Sequence, residues 1–114
     1  MKTKVNLIDW EYLNFIFDNN DKEIQLFFND YLVLMEQNLK TLKSAILDKN
    51  QKKVKEIFHF LKGSSGCVKK MYENCIEGEN AVINSNWDNV SFTYQKIEEL
   101  LGLLKKEMHN YYEK

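Results

Sequence analysis

The residues best suited to chemistry lie close together in the run His59-Phe60-Leu61-Lys62-Gly63-Ser64-Ser65. A free imidazole titrates near pH ~6.5, so at neutral pH one ring nitrogen keeps its lone pair and can act as a nucleophile. In a helix, residues advance about 100° per step. With Leu61 as origin, Val54, Ile57, Phe58, Ser64, Ser65 and Val68 then fall within about 60° of it, on one apolar stripe. His59 falls about 160° away, beside Lys52, Lys55, Glu56, Gly63 and Gly66, with Lys62 at about 100°. The ring is therefore expected to face solvent on a lysine-lined strip. An imidazole so placed can attack an activated phosphoryl group without a deep pocket, and an ammonium three residues on can offset phosphate charge. Gly63, one turn along, leaves room for another protein to close over the ring. A glycine inside a helix costs about 1 kcal/mol relative to alanine, so its place beside His59 asks for a reason.

The elements that must position these residues are helical by pattern. A short first helix is expected to start at Asn6 as its cap, carrying Leu7, Trp10, Leu13 and Phe17 and running out at Asp18-Asn19-Asn20. Asn20 followed by Glu23 resembles a capping box and opens a long second helix over about residues 21–47. Its apolar stripe is Ile24, Phe28, Tyr31, Leu32, Met35, Leu39, Leu42 and Ile46, widened on one flank by Phe27 and Leu34. Leu26 and Val33 lie on its far side and are expected under the first helix, the alternative being an apolar docking patch near His59. A third helix is predicted over about residues 51–67 and a fourth over about 70–84, the latter interrupted by Gly78. Ser85-Asn86-Trp87-Asp88 reads as a cap for a long final helix carrying Val90, Tyr94, Ile97, Leu100, Leu101, Leu104 and Met108. Four substantial amphipathic helices and a short leading one predict an all-α fold, an antiparallel four-helix bundle with a short additional N-terminal helix.

Composition narrows the function classes. The chain has 114 residues, enough for one domain and too few for two cores. Sixteen basic against seventeen acidic residues give a formal charge of −1, which argues against capture of nucleic acid or of anionic membrane. All the basic residues besides histidine are lysines, so any phosphate held here meets point-like ammonium groups and not a forked guanidinium. Two cysteines, Cys67 and Cys75, form neither a disulfide framework nor a CxxC zinc pair, and read as structural thiols. Ser64 and Ser65 lack a base and read as packing residues, while His109 reads as a solvated surface residue. A metal- or haem-binding bundle needs inward ligands, whereas the helical phase sends His59 outward. The expectation is a cytoplasmic monomer with no membrane insertion and no cofactor or metal of its own; a start at Met1 leans toward a freestanding protein, the other reading being a domain of a larger sensor kinase.

The seven-residue run resembles the signature of histidine-containing phosphotransfer (HPt) domains, H-x-L-K-G-S-S. The Asp9…Leu13 opening, the Asn20-Asp21 helix start, Ala45, the Lys49-Asn50 turn, and Cys75 followed by Glu77 or Glu79 are similar to the layout of that family. The chain departs from it at Lys69 and Lys70, where many members carry a glycine and a small residue. The resemblance implies a single HPt-like domain over residues 1–114, with His59 as phospho-acceptor, Lys62 steadying the phosphate and Gly63 giving clearance for docking. It also implies a phosphocarrier without a kinase or phosphatase site, which takes a phosphoryl group from a receiver-domain aspartate and passes it to another receiver in a multistep two-component phosphorelay. The implied partners are response-regulator receiver domains and a hybrid sensor histidine kinase, with Mg²⁺ supplied by the receiver. The alternative is a helical module that binds a partner without being phosphorylated.

Overall fold

One aspartate and three asparagines decide where four of the helices begin. Asp9 accepts from the Tyr12 N–H (3.0 Å), Asn20 from Glu23 (3.2 Å), Asn50 from Lys53 (3.1 Å) and Asn86 from Asn89 (3.2 Å). Each satisfies a backbone donor that the first helical turn leaves without a partner. The computed structural model describes residues 6–112, and these form α1 (Trp10–Ile16), α2 (Asp21–Leu47), α3 (Gln51–Ser64), α4 (Lys69–Ile83) and α5 (Trp87–Tyr112), with no strand among them. Met1 lies outside the described residues.

The ends of α2 and α4 share one device. Lys49 and Ser85 adopt left-handed backbone (φ 49° and 55°). Their N–H groups bond Ile46 and Val82 (3.0 Å each), and the next residues, Asn50 and Asn86, bond Ala45 and Ala81 (2.9 Å each). This paired closure satisfies carbonyls that the last turn would leave open, and the same asparagine then caps the following helix. None of the four glycines has positive φ, so they serve other ends.

The helices pack in a closed circuit: α2 lies against α3 and α5, and α4 lies against the same two, with α1 resting on α2. Phe28, Met35, Phe58, Leu61, Met71, Ile97 and Leu104 fill the interior, each fully buried. No described helix is long and apolar enough to cross a membrane.

Several expectations are corrected. Helix α1 starts at Trp10, with Asp9 as its cap, not at Asn6. The N–H groups of Leu7 (2.7 Å) and Ile8 (2.9 Å) go to the Glu107 carboxylate on α5, which also takes the Trp10 indole N–H (2.9 Å). A distant acid thus satisfies the donors that a helical turn would otherwise have used. Asp9 N–H donates to the Cys67 carbonyl (2.8 Å), and the Trp10 ring stacks on Tyr111 at 3.8 Å. Helix α3 ends at Ser64 and not near Cys67, and α4 begins at Lys69. The hydroxyls of Ser64 and Ser65 turn back onto the carbonyls of Phe60 (3.0 Å) and Leu61 (2.7 Å), and the Ser65 N–H reaches Lys62 in a tightened last turn (3.3 Å). Ser65 is wholly buried, its hydroxyl also meeting that of Tyr31 at 2.8 Å. Along α2 the buried stripe closes on Ala45 while Ile46 is half-buried, and in α5 Thr93 holds the interior position expected of Tyr94. Leu26 and Val33 are more than half exposed, because the end of α1 meets the other flank, Phe17 lying 5.4 Å from Phe27.

Gly78 sets the distance between α3 and α4. A Cβ there would stand 2.5 Å from Cε1 and Cζ of Phe58, whose ring is fully buried. The roughly 1 kcal/mol that glycine loses in helix propensity is therefore the condition for seating a phenyl ring against bare backbone. Gly78→Ala regains that propensity but overpacks the core by about 1–3 kcal/mol, so net destabilisation of up to about 2 kcal/mol is expected in urea unfolding. Gly63→Ala, with nothing within 4 Å of the added atom, should shift stability the opposite way, by up to about 1 kcal/mol.

Candidate functional site

Phe58 and His59 are consecutive on α3, and Gly78 and Glu79 are consecutive on α4. The contact that seats Phe58 on Gly78 consequently brings the next residue of each helix together on the surface. His59 leaves α3 on the side away from Leu61, its side chain 68% exposed, and its Nδ1 lies 3.0 Å from Oε2 of Glu79. The other carboxylate oxygen, Oε1, accepts from Lys62 Nζ at 3.0 Å. The Glu79 side chain is only 13% exposed, so one largely covered carboxylate bridges the imidazole and the ammonium.

Charge decides the roles within this trio. Burial by itself would raise the pKa of Glu79, but hydrogen bonds from Lys62 and then His59, reinforced by the Lys62 charge, outweigh burial and hold it below its ordinary value. The carboxylate is accordingly ionised at neutral pH and can only accept. The Nδ1 it meets must therefore carry the proton, which in a neutral ring leaves Nε2 with the free lone pair. No hydrogen-bond partner of Nε2 is found among the described residues. An exposed, orientationally fixed nitrogen nucleophile with a carboxylate behind it is the arrangement that activates imidazole for covalent attack.

Of the residues singled out in the sequence, the structure brings His59 and Lys62 onto one carboxylate and leaves Gly63 beside them with open space where a side chain would stand. Lys62 is engaged by Glu79 and not free in solvent. Gly63 and Ser64 border a shallow groove whose other walls include Tyr12 and Ile16 of α1, Phe17 just beyond it and Phe27 of α2. Glu79 is the residue whose part the sequence did not disclose. It was one of two acidic residues following Cys75, and the other, Glu77, pairs instead with Lys96 of α5 (2.6 Å).

The remaining candidates stand apart from this chemistry. Burial pushes the Cys67 thiol up to about 11 and the Cys75 thiol to about 12, the latter helped by Glu79, so both are protonated and unreactive at neutral pH. His109 is exposed near the end of α5. Among the described residues no group of three or more His, Cys, Asp or Glu side chains could hold a metal ion. No family model, curated protein or solved structure matches this chain.

A carboxylate whose pKa is depressed by folding adds stability in full above its ordinary range and loses it as pH falls through the lowered value. The stability difference between wild type and Glu79→Gln should therefore persist, at no more than about 1 kcal/mol for so exposed a partner as His59, from neutral pH into the ordinary carboxylate range. It should close only on further acidification, as read from urea melts at a series of pH values. A gap that already closes above the ordinary carboxylate range would contradict the assignment.

Proposed function

We propose that this chain is a histidine phosphotransfer protein, a carrier that takes a phosphoryl group from a receiver-domain aspartate onto His59 and gives it up to another receiver in a multistep two-component phosphorelay. The observation that carries this reading is the outward imidazole whose Nδ1 is occupied by Glu79, leaving Nε2 toward solvent. The circuit of α2, α3, α4 and α5 supports reading them as an antiparallel four-helix bundle, with α1 as the additional N-terminal helix. A site of this kind, open and on a helix face, suits a reaction completed only when a second protein closes over it.

The step balances simply. The Nε2 lone pair attacks phosphorus in line, a P–N bond forms, and the P–O bond to the donor aspartate breaks, the carboxylate leaving with the electron pair. Positive charge that builds on the ring is met through Nδ1–H by Glu79, much as a buried carboxylate supports the histidine of a hydrolytic triad. Return transfer reverses these bonds onto a second aspartate. The rest is positioning and charge neutralisation, for which the receiver brings Mg²⁺ and its own groups. Lys62, one ridge from His59, is the ammonium available to the phosphoryl oxygens, and binding them means sharing or leaving Glu79. In this reading the protein has no kinase or phosphatase site, works as a cytoplasmic monomer, and stands between a hybrid sensor histidine kinase and response regulators.

Incubation with a phosphorylated receiver domain should transfer label to this protein in a form stable to base and lost in acid, and His59→Gln should take up none. Label that persists in that variant would overturn the proposal. Gly63→Gln fills the open space beside the ring, so it should fold at least as stably as wild type yet lose most receiver-dependent transfer. Unchanged transfer in the folded variant would show that clearance at Gly63 is not needed.

A further inference from the structure

Ser65, Asn74 and Thr93 are the buried residues of polar type among those described, with exposures of 0, 7 and 3%. Ser65 is bonded to Tyr31 and to the Leu61 carbonyl. Asn74 and Thr93 make no side-chain hydrogen bond with any described residue. Asn14 and Asn38, also within helices, turn their amide N–H groups back onto carbonyls four residues before, at 2.8 and 2.9 Å. Asn74 makes no such bond to Lys70. A side-chain amide has both donors and acceptors, and leaving them unmet away from water is costly. A buried amide with no partner in its own chain therefore asks for one from outside.

Both residues line the seam between α4 and α5, on the side of α4 away from Glu79. Asn74 opens onto a groove of about 550 Å³, to which α5 contributes buried Leu100 and half-exposed Leu103. Glu73 stands next to Asn74 on α4, and Glu99 lies on the α5 wall. Glu77 and Lys96, paired at 2.6 Å, border this stretch and also the next one, which holds Thr93. Glu73 and Glu99 are exposed and form no ion pair among the described residues, although Lys70 lines the same groove. Three carboxylates against two ammonium groups leave the groove with one net negative charge.

We propose that the α4–α5 groove around Asn74 is a second binding site, one that takes a guanidinium on an alkyl stem. The carrier reading neither uses nor requires it. The Asn74 carbonyl and the carboxylates of Glu73 and Glu99 offer acceptors from both walls of the groove. A guanidinium is the organic cation whose planar fork presents donors in several directions at once. Half-exposed Leu103 gives the methylenes of the stem an apolar surface. The chain contains no arginine, so no guanidinium of its own competes for the place. A bare metal ion is the poorer match, since no group of three or more His, Cys, Asp or Glu side chains among the described residues could hold one.

The test is a titration of the full, ¹⁵N-labelled chain with N-acetyl-arginine amide, followed by nuclear magnetic resonance. The side-chain amide signals of Asn74 and the backbone signals of Glu73 and Leu100 should shift saturably. A dissociation constant on the order of a millimolar is the scale for so small a ligand. N-acetyl-citrulline amide, of the same shape without the charge, should bind about tenfold more weakly or worse. The Glu73→Gln, Glu99→Gln double variant changes only exposed residues and should weaken binding about tenfold. Asn74→Leu removes the unmet amide, so it should raise the urea midpoint while binding falls about fivefold or more. Butylguanidine separates the two sources of this chemistry: equal affinity points to a small free guanidine, and tighter binding of the arginine amide to an arginine side chain on a protein. His59→Gln should bind as wild type does, so this result stands or falls separately from phosphoryl transfer. Shifts that do not saturate, citrulline amide binding as tightly as arginine amide, or undiminished binding by both folded groove variants would overturn the site.

Discussion

The carboxylate of Glu79 is the interaction on which the site depends. It reaches His59 with one oxygen and Lys62 with the other. In doing so it fixes which imidazole nitrogen bears the proton, how the ring is turned and where the nearest ammonium waits. It stays ionised although largely covered, because two donors more than offset the penalty of burial. Its place is in turn a consequence of packing beneath it. The Phe58 ring lies against Gly78, and the adjoining residues on the two helices meet at the surface as a result. Core and site are therefore one arrangement: the glycine that weakens α4 as an isolated helix is what lets the surface carboxylate arrive within hydrogen-bond distance of the histidine.

The same economy governs the frame. The links after α1, α2 and α4 pass through left-handed residues that are not glycine, and each ends on an asparagine that starts the next helix. Turns built from Asp, Asn, Lys and Ser leave the four glycines for other duties. Gly78 seats an aromatic ring, and Gly63 keeps the surface beside His59 bare. At the opposite end of the chain, Glu107 collects two backbone donors and an indole, and so anchors α1 across one edge of the groove next to Gly63.

Electrostatics and packing divide the labour between the two sides of α3. Its inner stripe of Val54, Ile57, Phe58 and Leu61 is buried and supplies cohesion, while its outer face is lysine-rich, and among the described residues only His59 and Lys62 on it pair with an acid, both with Glu79. Isolated surface charges add little to stability, so a run of them along one helix affects the fold weakly and encounters with other molecules strongly.

Much of this was legible in the residues alone. The outward direction of His59 follows from the 3.6-residue period and the apolar stripe opposite it, and the helix starts at Asn20 and Asn86 follow from side chains that bond backbone only three residues away. Such features are settled within a turn or two of chain, where backbone geometry leaves few choices. The choice between Glu77 and Glu79 was not legible. They stand on opposite sides of α4, and only the packing of α4 between α3 and α5 sends the first to Lys96 and the second to His59. The start of α1 is equally hidden from local pattern, since the N–H groups just before it are satisfied by an acid about a hundred residues further on. Leu26 and Val33 stay exposed because α1 settles on the flank of α2 marked by Phe27, a choice made by tertiary contact. Local periodicity determined which face of each helix turns inward; the tertiary structure decided which charged groups meet across helices, because those distances are set by how closely the side chains between them let the backbones approach.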